Sequence, residues 1–146
     1  MYLNCHSYYS LRYGTFSETD LLELAKKNNI DCLALTDINN TSACLNFVRK
    51  AKEHHIKPII GIDFRNNHQP LYVGLAKNNE GYKELNDFLS HYSHQKNNFP
   101  EIAPSFKNAY IIYPAKQIIA LKKTHFTSNE FIGISQKEIT NLYLST

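Results

Sequence analysis

An α/β fold with mostly parallel strand pairing is predicted for this 146-residue chain by three features. Short apolar, β-rich runs recur along it, at Tyr2–Cys5, Cys32–Leu35, 59–62, 71–76, 109–113 and 131–134. Most are separated by segments whose apolar residues fall at helical spacing. Several of the runs are continuous rather than alternating, as strands covered on both faces are. Strands and helices in this order imply a parallel sheet or barrel, in which chemistry collects at the C-terminal ends of the strands.

The first strand leads into a polar and aromatic loop that reaches Phe16. Ser17 then fits a helix N-cap, with Asp20 three residues on as a shorter relative of the capping-box Glu. Leu21, Leu22, Leu24 and Ala25 supply the apolar face of that helix, and Lys26 and Lys27 suit its C-terminal turn. After the second strand, residues 36–40 form a loop. Thr41 or Ser42 can open a second helix, with Leu45 and Val48 facing inward alongside Cys44 and Ala51. Lys57-Pro58 breaks the helical pattern before the third strand. Residues 65–70 read as a hairpin connection to the fourth. Asn78 or Asn79 can cap a third helix holding Tyr82, Leu85, Phe88 and Leu89. Residues 94–107, with Pro100 and Pro104, read as a loop before the fifth strand. Pro114 suits the first turn of a short helix ending near Leu121. The sixth strand is followed by Ser135 and Glu138, a capping box that opens a final helix running almost to residue 146. Asparagine pairs at 28–29, 39–40, 66–67, 78–79 and 97–98 fall mostly at these connections, as turn chemistry requires.

Composition excludes several classes. Hydrophobic content of 42% with 20% charged residues is that of an ordinary globular domain, not of a disordered chain. No apolar run approaches the ~20 residues of a membrane span, and the first residues lack the basic and apolar regions of a signal peptide. Cys5, Cys32 and Cys44 are odd in number and form no C-x-x-C pair, which fits reduced thiols in a cytoplasmic protein. The net charge of +3 comes from the C-terminal third and is too slight for a nucleic-acid face. The glycines are dispersed, so neither a phosphate loop nor a dinucleotide fingerprint is present.

On the rim expected for such a fold, His6 follows the first strand, Asp37 the second and Asp63 the third. Imidazole and carboxylates are suitable metal ligands, but three such residues on loops have many other uses. His54-His55 sits where a helix ends, and reads as a solvated helix terminus near unpaired carbonyls rather than a ligand pair. Ser7 and Ser10 lie near His6, yet no oxyanion hole or third orienting group accompanies them, so hydroxyl hydrogen bonding within the loop is the better reading. Tyr8, Tyr9, Tyr13 and Phe16 could stack on bases of a single strand. Packing across the mouth of the barrel is the simpler role.

Four blocks then carry a resemblance. Leu3-Asn4-Cys5-His6-Ser7-Tyr8-Tyr9-Ser10-Leu11, Ala34-Leu35-Thr36-Asp37-Ile38-Asn39, Ile56-Lys57-Pro58-Ile59-Ile60-Gly61-Ile62-Asp63-Phe64 and Ala76-Lys77-Asn78-Asn79-Glu80-Gly81-Tyr82 occur in order. Together they resemble the PHP domain, in particular the form found in bacterial replicative polymerases of the DNA polymerase III alpha family. The likeness is specific over residues 2–89 and faint beyond His94. It implies a distorted (β/α)7 barrel of parallel-type strands, with residues 1–146 a PHP domain fragment of a much longer polymerase chain, holding about five or six of the strands. Metal-bearing members of the family hydrolyse phosphoesters with a metal-activated water.

Carried over motif by motif, the resemblance implies a degenerate cleft. The His-x-His motif reads Asn4-Cys5-His6, so an amide replaces the first imidazole. Tyr13 stands where the family has an acidic residue before the loop glycine. Thr-Asp-His reads Thr36-Asp37-Ile38, and Gly-x-Glu reads Gly61-Ile62-Asp63. Ile38 cannot bind a metal and Asn4 is a poor ligand for one; losing even a supporting partner costs ~10–100-fold in affinity. The expectation is therefore a metal-free cleft with no catalytic residues, and a structural and protein-interaction role in DNA replication. The implied partners are the remainder of the polymerase chain, the proofreading exonuclease subunit, and DNA through other domains, with no membrane. The alternative is a residual phosphoesterase or 3′–5′ exonuclease that uses His6, Asp37 and Asp63 with a weakly held zinc, manganese or iron ion.

Overall fold

The computed structural model describes residues 1–135 together with 138 and 139. Ten elements follow in order: β1 (Tyr2–Cys5), α1 (Glu18–Lys27), β2 (Cys32–Leu35), α2 (Cys44–Glu53), β3 (Lys57–Asn66), β4 (Gln69–Ala76), α3 (Asn79–Gln95), β5 (Ala109–Pro114), α4 (Ala115–Leu121) and β6 (Glu130–Gly133). The strands form one curled sheet, a half-barrel, in the order β1-β2-β3-β4-β5-β6. Six strands agree with the number expected. The final helix expected from Ser135 to near residue 146 lies almost wholly outside the described residues; its capping pair is present, with Ser135 N–H donating to Glu138 Oε2 at 2.7 Å.

The pairing is mixed rather than purely parallel. β1, β2 and β3 pair parallel and so do β5 and β6, but β4 runs antiparallel to both of its neighbours. The cause is the connection between β3 and β4, which is only Asn67 and His68. Two residues can reverse a chain but cannot cross over a sheet. Asn67 takes a φ of 55°, as do Asn29 at 55° and Asn39 at 47°. Three of the asparagine pairs thus place one member in left-handed backbone, which Asn tolerates. β3 also runs past Ile62 to Asn66, four residues beyond the expected end.

α1 begins as its sequence suggests. Ser17 Oγ accepts from Asp20 N–H at 3.1 Å, and Ser17 N–H donates to Asp20 Oδ2 at 2.9 Å. Asn78, not Asn79, caps α3 by accepting from Gly81 N–H at 2.9 Å. Pro114 is the N-cap of α4 rather than part of its first turn.

One face of the sheet carries the helices. Leu33 and Leu35 of β2 pack with Leu22 and Ala25 of α1 and with Phe47 and Ala51 of α2. Ile62, Phe64, Tyr72, Ile111 and Tyr113 pack with Leu85 and Leu89 of α3. The 96–108 connection is irregular, as expected, yet it buries Phe99, Ala103 and Phe106 in this second core. Asn66 anchors it through two 2.9 Å bonds to the backbone of Phe99. The concave face has only a small cluster of Ala34, Val73 and Leu75. An open groove of about 730 Å³ lies on that face, bordered by Leu3, Ile59, Leu75, Tyr110, Ile112 and Phe131.

One leucine of each of the first two helices does not face inward as expected. Leu45 is 73% exposed and Leu24 45% exposed, while Phe47 is fully buried. In α2 the inward face is Cys44, Phe47 and Ala51 with Val48 packed beside them, so three of the four residues expected there face inward, and Phe47 is buried where Leu45 is not. Leu45→Lys is therefore expected to change unfolding free energy by no more than ~0.5 kcal/mol. Urea denaturation of the variant checks this placement of the helix.

Candidate functional site

The rim of the half-barrel is built by continuation of the β2–β3 ladder past the end of β2. Asp63 N–H donates to Asp37 O at 3.2 Å, Asn39 N–H donates to Asp63 O at 3.1 Å, and Ile38 lies opposite Asp63. The Asn39 side chain then stands in for a further strand residue. Its Oδ1 accepts from Arg65 N–H at 3.0 Å and its Nδ2 donates to Arg65 O at 2.8 Å. Because neighbours in an extended segment point to opposite faces, Ile38 shares the face of Asp63 and Asp37 takes the other.

Asp37 is fully buried and its carboxylate faces the 7–14 loop. It accepts from Ser7 N–H and Ser7 Oγ, each at 2.7 Å, and from Ser10 Oγ at 2.6 Å. Ser10 Oγ in turn accepts from Ile38 N–H at 2.9 Å. The loop closes on itself at Gly14, where a Cβ would lie 1.8 Å from Ser7 O, so only glycine fits. Burial, reinforced by the charge of Asp37, pushes the Cys44 thiol up to about 12. It is an inert core thiol.

Asp63 sits within β3, not after it, and is 2% exposed. Its Oδ2 lies 3.1 Å from His6 Nε2 and accepts from Arg65 Nη2 at 2.7 Å and Arg65 Nε at 3.1 Å. Burial would raise the Asp63 carboxyl, but the bonds from His6 and Arg65 and the guanidinium charge hold it below the usual carboxylate range. The Arg65 guanidinium lies 4.5 Å from the centre of the Tyr13 ring, and Tyr13 Oη is 3.2 Å from His68 Nδ1. Asn4 is exposed, and its Oδ1 accepts from Thr36 Oγ1 at 2.8 Å.

Of the residues singled out from sequence, His6, Tyr13 and Asp63 come together around Arg65. Asp37 does not join them, because its side chain points away into the loop. Ser7 and Ser10 are hydrogen-bonding groups, as expected, but their principal acceptor is Asp37. Arg65 was not anticipated. Its signal is its position two residues after Asp63, which shares a face only if the third strand continues that far. His54 Nδ1 lies 3.0 Å from Lys50 O, in keeping with a helix terminus. Tyr8, Tyr9, Tyr13 and Phe16 are all 38–47% exposed, so none is buried across the barrel mouth, contrary to expectation; Tyr13 lies against Arg65, and Tyr8 and Tyr9 stack on each other with ring centroids 4.7 Å apart.

The donor set suits a metal poorly. Asp63 already serves a guanidinium, Ile38 is apolar, and Asn4 is engaged by Thr36. Among the described residues no group of three or more His, Cys, Asp or Glu is placed to hold an ion.

A curled α/β sheet with His6, Asp37 and Asp63 at one rim defines the class, and the PHP domain model matches residues 3–135: the chain belongs to the PHP domain family. Its sequence relatives are more particular. It is 45% identical over 83 residues to the DNA polymerase III subunit alpha of Ureaplasma parvum, covering 57% of this chain and 8% of that protein. The corresponding subunits of Borreliella burgdorferi and Staphylococcus aureus are 37% identical over 99 residues and 36% over 87. They cover 58% of this chain in both cases, and 9% and 8% of the respective relative. The chain thus spans less than a tenth of the length of these relatives, in which the matching region is part of a much larger polymerase subunit. A Bifidobacterium adolescentis protein assigned as a metal-dependent phosphoesterase shares the fold, with a TM-score of 0.56 at 10% identity over 97% of this chain and 81% of that one. None of the described helices is long and apolar enough to cross a membrane.

Proposed function

We propose that this chain is the PHP module of a replicative DNA polymerase of the polymerase III alpha type. It acts in DNA replication as a structural and protein-interaction unit whose cleft is metal-free and hydrolytically silent. The observation that carries this reading is the state of the two buried carboxylates. Asp37 is spent on three loop donors, and Asp63 already carries His6 and a guanidinium on Oδ2, so among the described residues its Oδ1 is the one oxygen of the two carboxylates without a bond, too little for the ligand set of an ion that activates water. Within the longer chain the module packs against the polymerase body. It also offers a docking surface to the proofreading exonuclease subunit, and DNA is met by other domains.

Two measurements test the halves separately. Purified chain is expected to carry far less than one equivalent of zinc, manganese or iron by elemental analysis, and to hydrolyse neither a phosphodiester nor a DNA 3′ end. Near-stoichiometric metal, or metal-stimulated hydrolysis that disappears in His6→Ala, would establish the phosphoesterase or proofreading alternative instead. For the interaction half, the chain and the exonuclease from the same cell are expected to co-elute on size exclusion. Separate elution at concentrations of tens of micromolar removes that half.

A further inference from the structure

The family to which the chain belongs includes metal-dependent enzymes, yet the centre of this cleft is occupied by a side chain. We infer that the Arg65 guanidinium is a built-in cation that replaces a bound metal ion as the group holding Asp63, His6 and the Tyr13 loop together. The inference rests on the metal-free reading above and adds to it the residue that makes metal unnecessary.

Three observations converge. Arg65 follows Asp63 by two positions in β3, so its side chain rises on the same face and folds back over the carboxylate, with Nη2 and Nε both on Oδ2. The guanidinium lies over the ring of Tyr13, 4.5 Å from its centre. An aromatic ring suits a guanidinium, which is flat and weakly hydrated. Finally, the Arg65 backbone is fixed at both its N–H and its carbonyl by Asn39, so the charge starts from a defined place.

The arrangement also excludes a competitor. A divalent ion reaching Asp63 Oδ2 would meet the guanidinium within a few ångströms in a cleft with little water, where like charges repel strongly. The side chain of Arg65 is 10% exposed and that of Asp63 3%, so screening by solvent gives little relief. Removing Arg65 alone leaves a buried carboxylate with no full countercharge, a costly state.

The test is thermal unfolding of the 146-residue chain in EDTA and in millimolar manganese chloride. The wild-type midpoint is expected to be the same in both. Arg65→Met is expected to melt about 10 °C lower in EDTA, and to recover several degrees in manganese as the ion takes up the vacated role. The double variant Asp63→Asn, Arg65→Met has no charge left to neutralise. It is expected to melt above Arg65→Met in EDTA and not to respond to manganese. An Arg65→Met midpoint within 2 °C of wild type, or one unmoved by manganese, overturns the inference. Should Arg65→Met not fold at all, the double variant decides: folding supports the inference and failure to fold overturns it. A wild-type midpoint raised by manganese overturns the metal-free reading itself, a separate result.

Discussion

Asp37→Ala is expected to lose ~3–5 kcal/mol of stability, enough to leave much of the chain unfolded at 37 °C. The change deletes the single acceptor of three buried donors: Ser7 N–H, Ser7 Oγ and Ser10 Oγ. The hydroxyls can rotate to other acceptors, but the Ser7 N–H cannot, and each stranded donor costs ~1–3 kcal/mol. Asp37→Asn should be milder, at ~1–2 kcal/mol, because its Oδ1 still accepts two bonds and Ser7 Oγ can turn to accept from the amide. Urea unfolding monitored by circular dichroism checks both, with a lower midpoint and an unchanged slope as the expected pattern. This order of effects also bears on role. A carboxylate used for chemistry tolerates the amide in stability and loses activity, whereas Asp37 is expected to show its importance in folding.

Phe64→Ala is expected to cost a similar ~3–5 kcal/mol, by a different route. Phe64 is fully buried, one residue after Asp63, and points to the helix-bearing face. Its ring lies 5.3–5.4 Å from those of Tyr72, Phe88 and Phe99, joining β4, α3 and the irregular 96–108 connection. Deleting it opens a cavity among groups that cannot collapse together, because Tyr72 Oη is held by Pro100 O at 3.1 Å and Phe99 by Asn66. A fall of roughly 10 °C in the thermal midpoint is the expected reading for a domain of this size. Phe64→Leu, which keeps most of the volume, should recover more than half of it.

Much of the fold was legible because local chemistry and tertiary structure agreed. The capping box at Ser17, the cap at Asn78 and the asparagine turns are each decided by a few adjacent residues. The failures arise where two local readings competed and distance decided. In α2, Leu45 and Phe47 are both apolar and flank the face of Cys44, Val48 and Ala51, and only the surroundings decide that the ring is buried and Leu45 exposed. In β3, the polar run from Arg65 to Gln69 looks like a loop, but on a strand whose neighbour is one short turn away it becomes a reversed pair. That extension is what carries Arg65 onto the cleft. The irregular 96–108 stretch shows the converse. Its lack of periodicity was readable, whereas its three buried apolar side chains depend on partners in β3, β4 and α3. In the cleft, the motif departures at Asn4, Tyr13, Ile38 and Asp63 could be read from the chain. The groups that stand in for what is missing could not, because a hydrogen bond between residues 7 and 37 leaves no mark on either segment.

Among the described residues, β1 and β6 each have one unpaired edge, and the two strands point the same way. A molecule could therefore lay its β6 beside the β1 of another and still present its own β1 to a third. Leu3 and Phe131 leave apolar surface exposed beside those edges. The edges are the two places where a further strand, from the same chain or another, would add to the sheet.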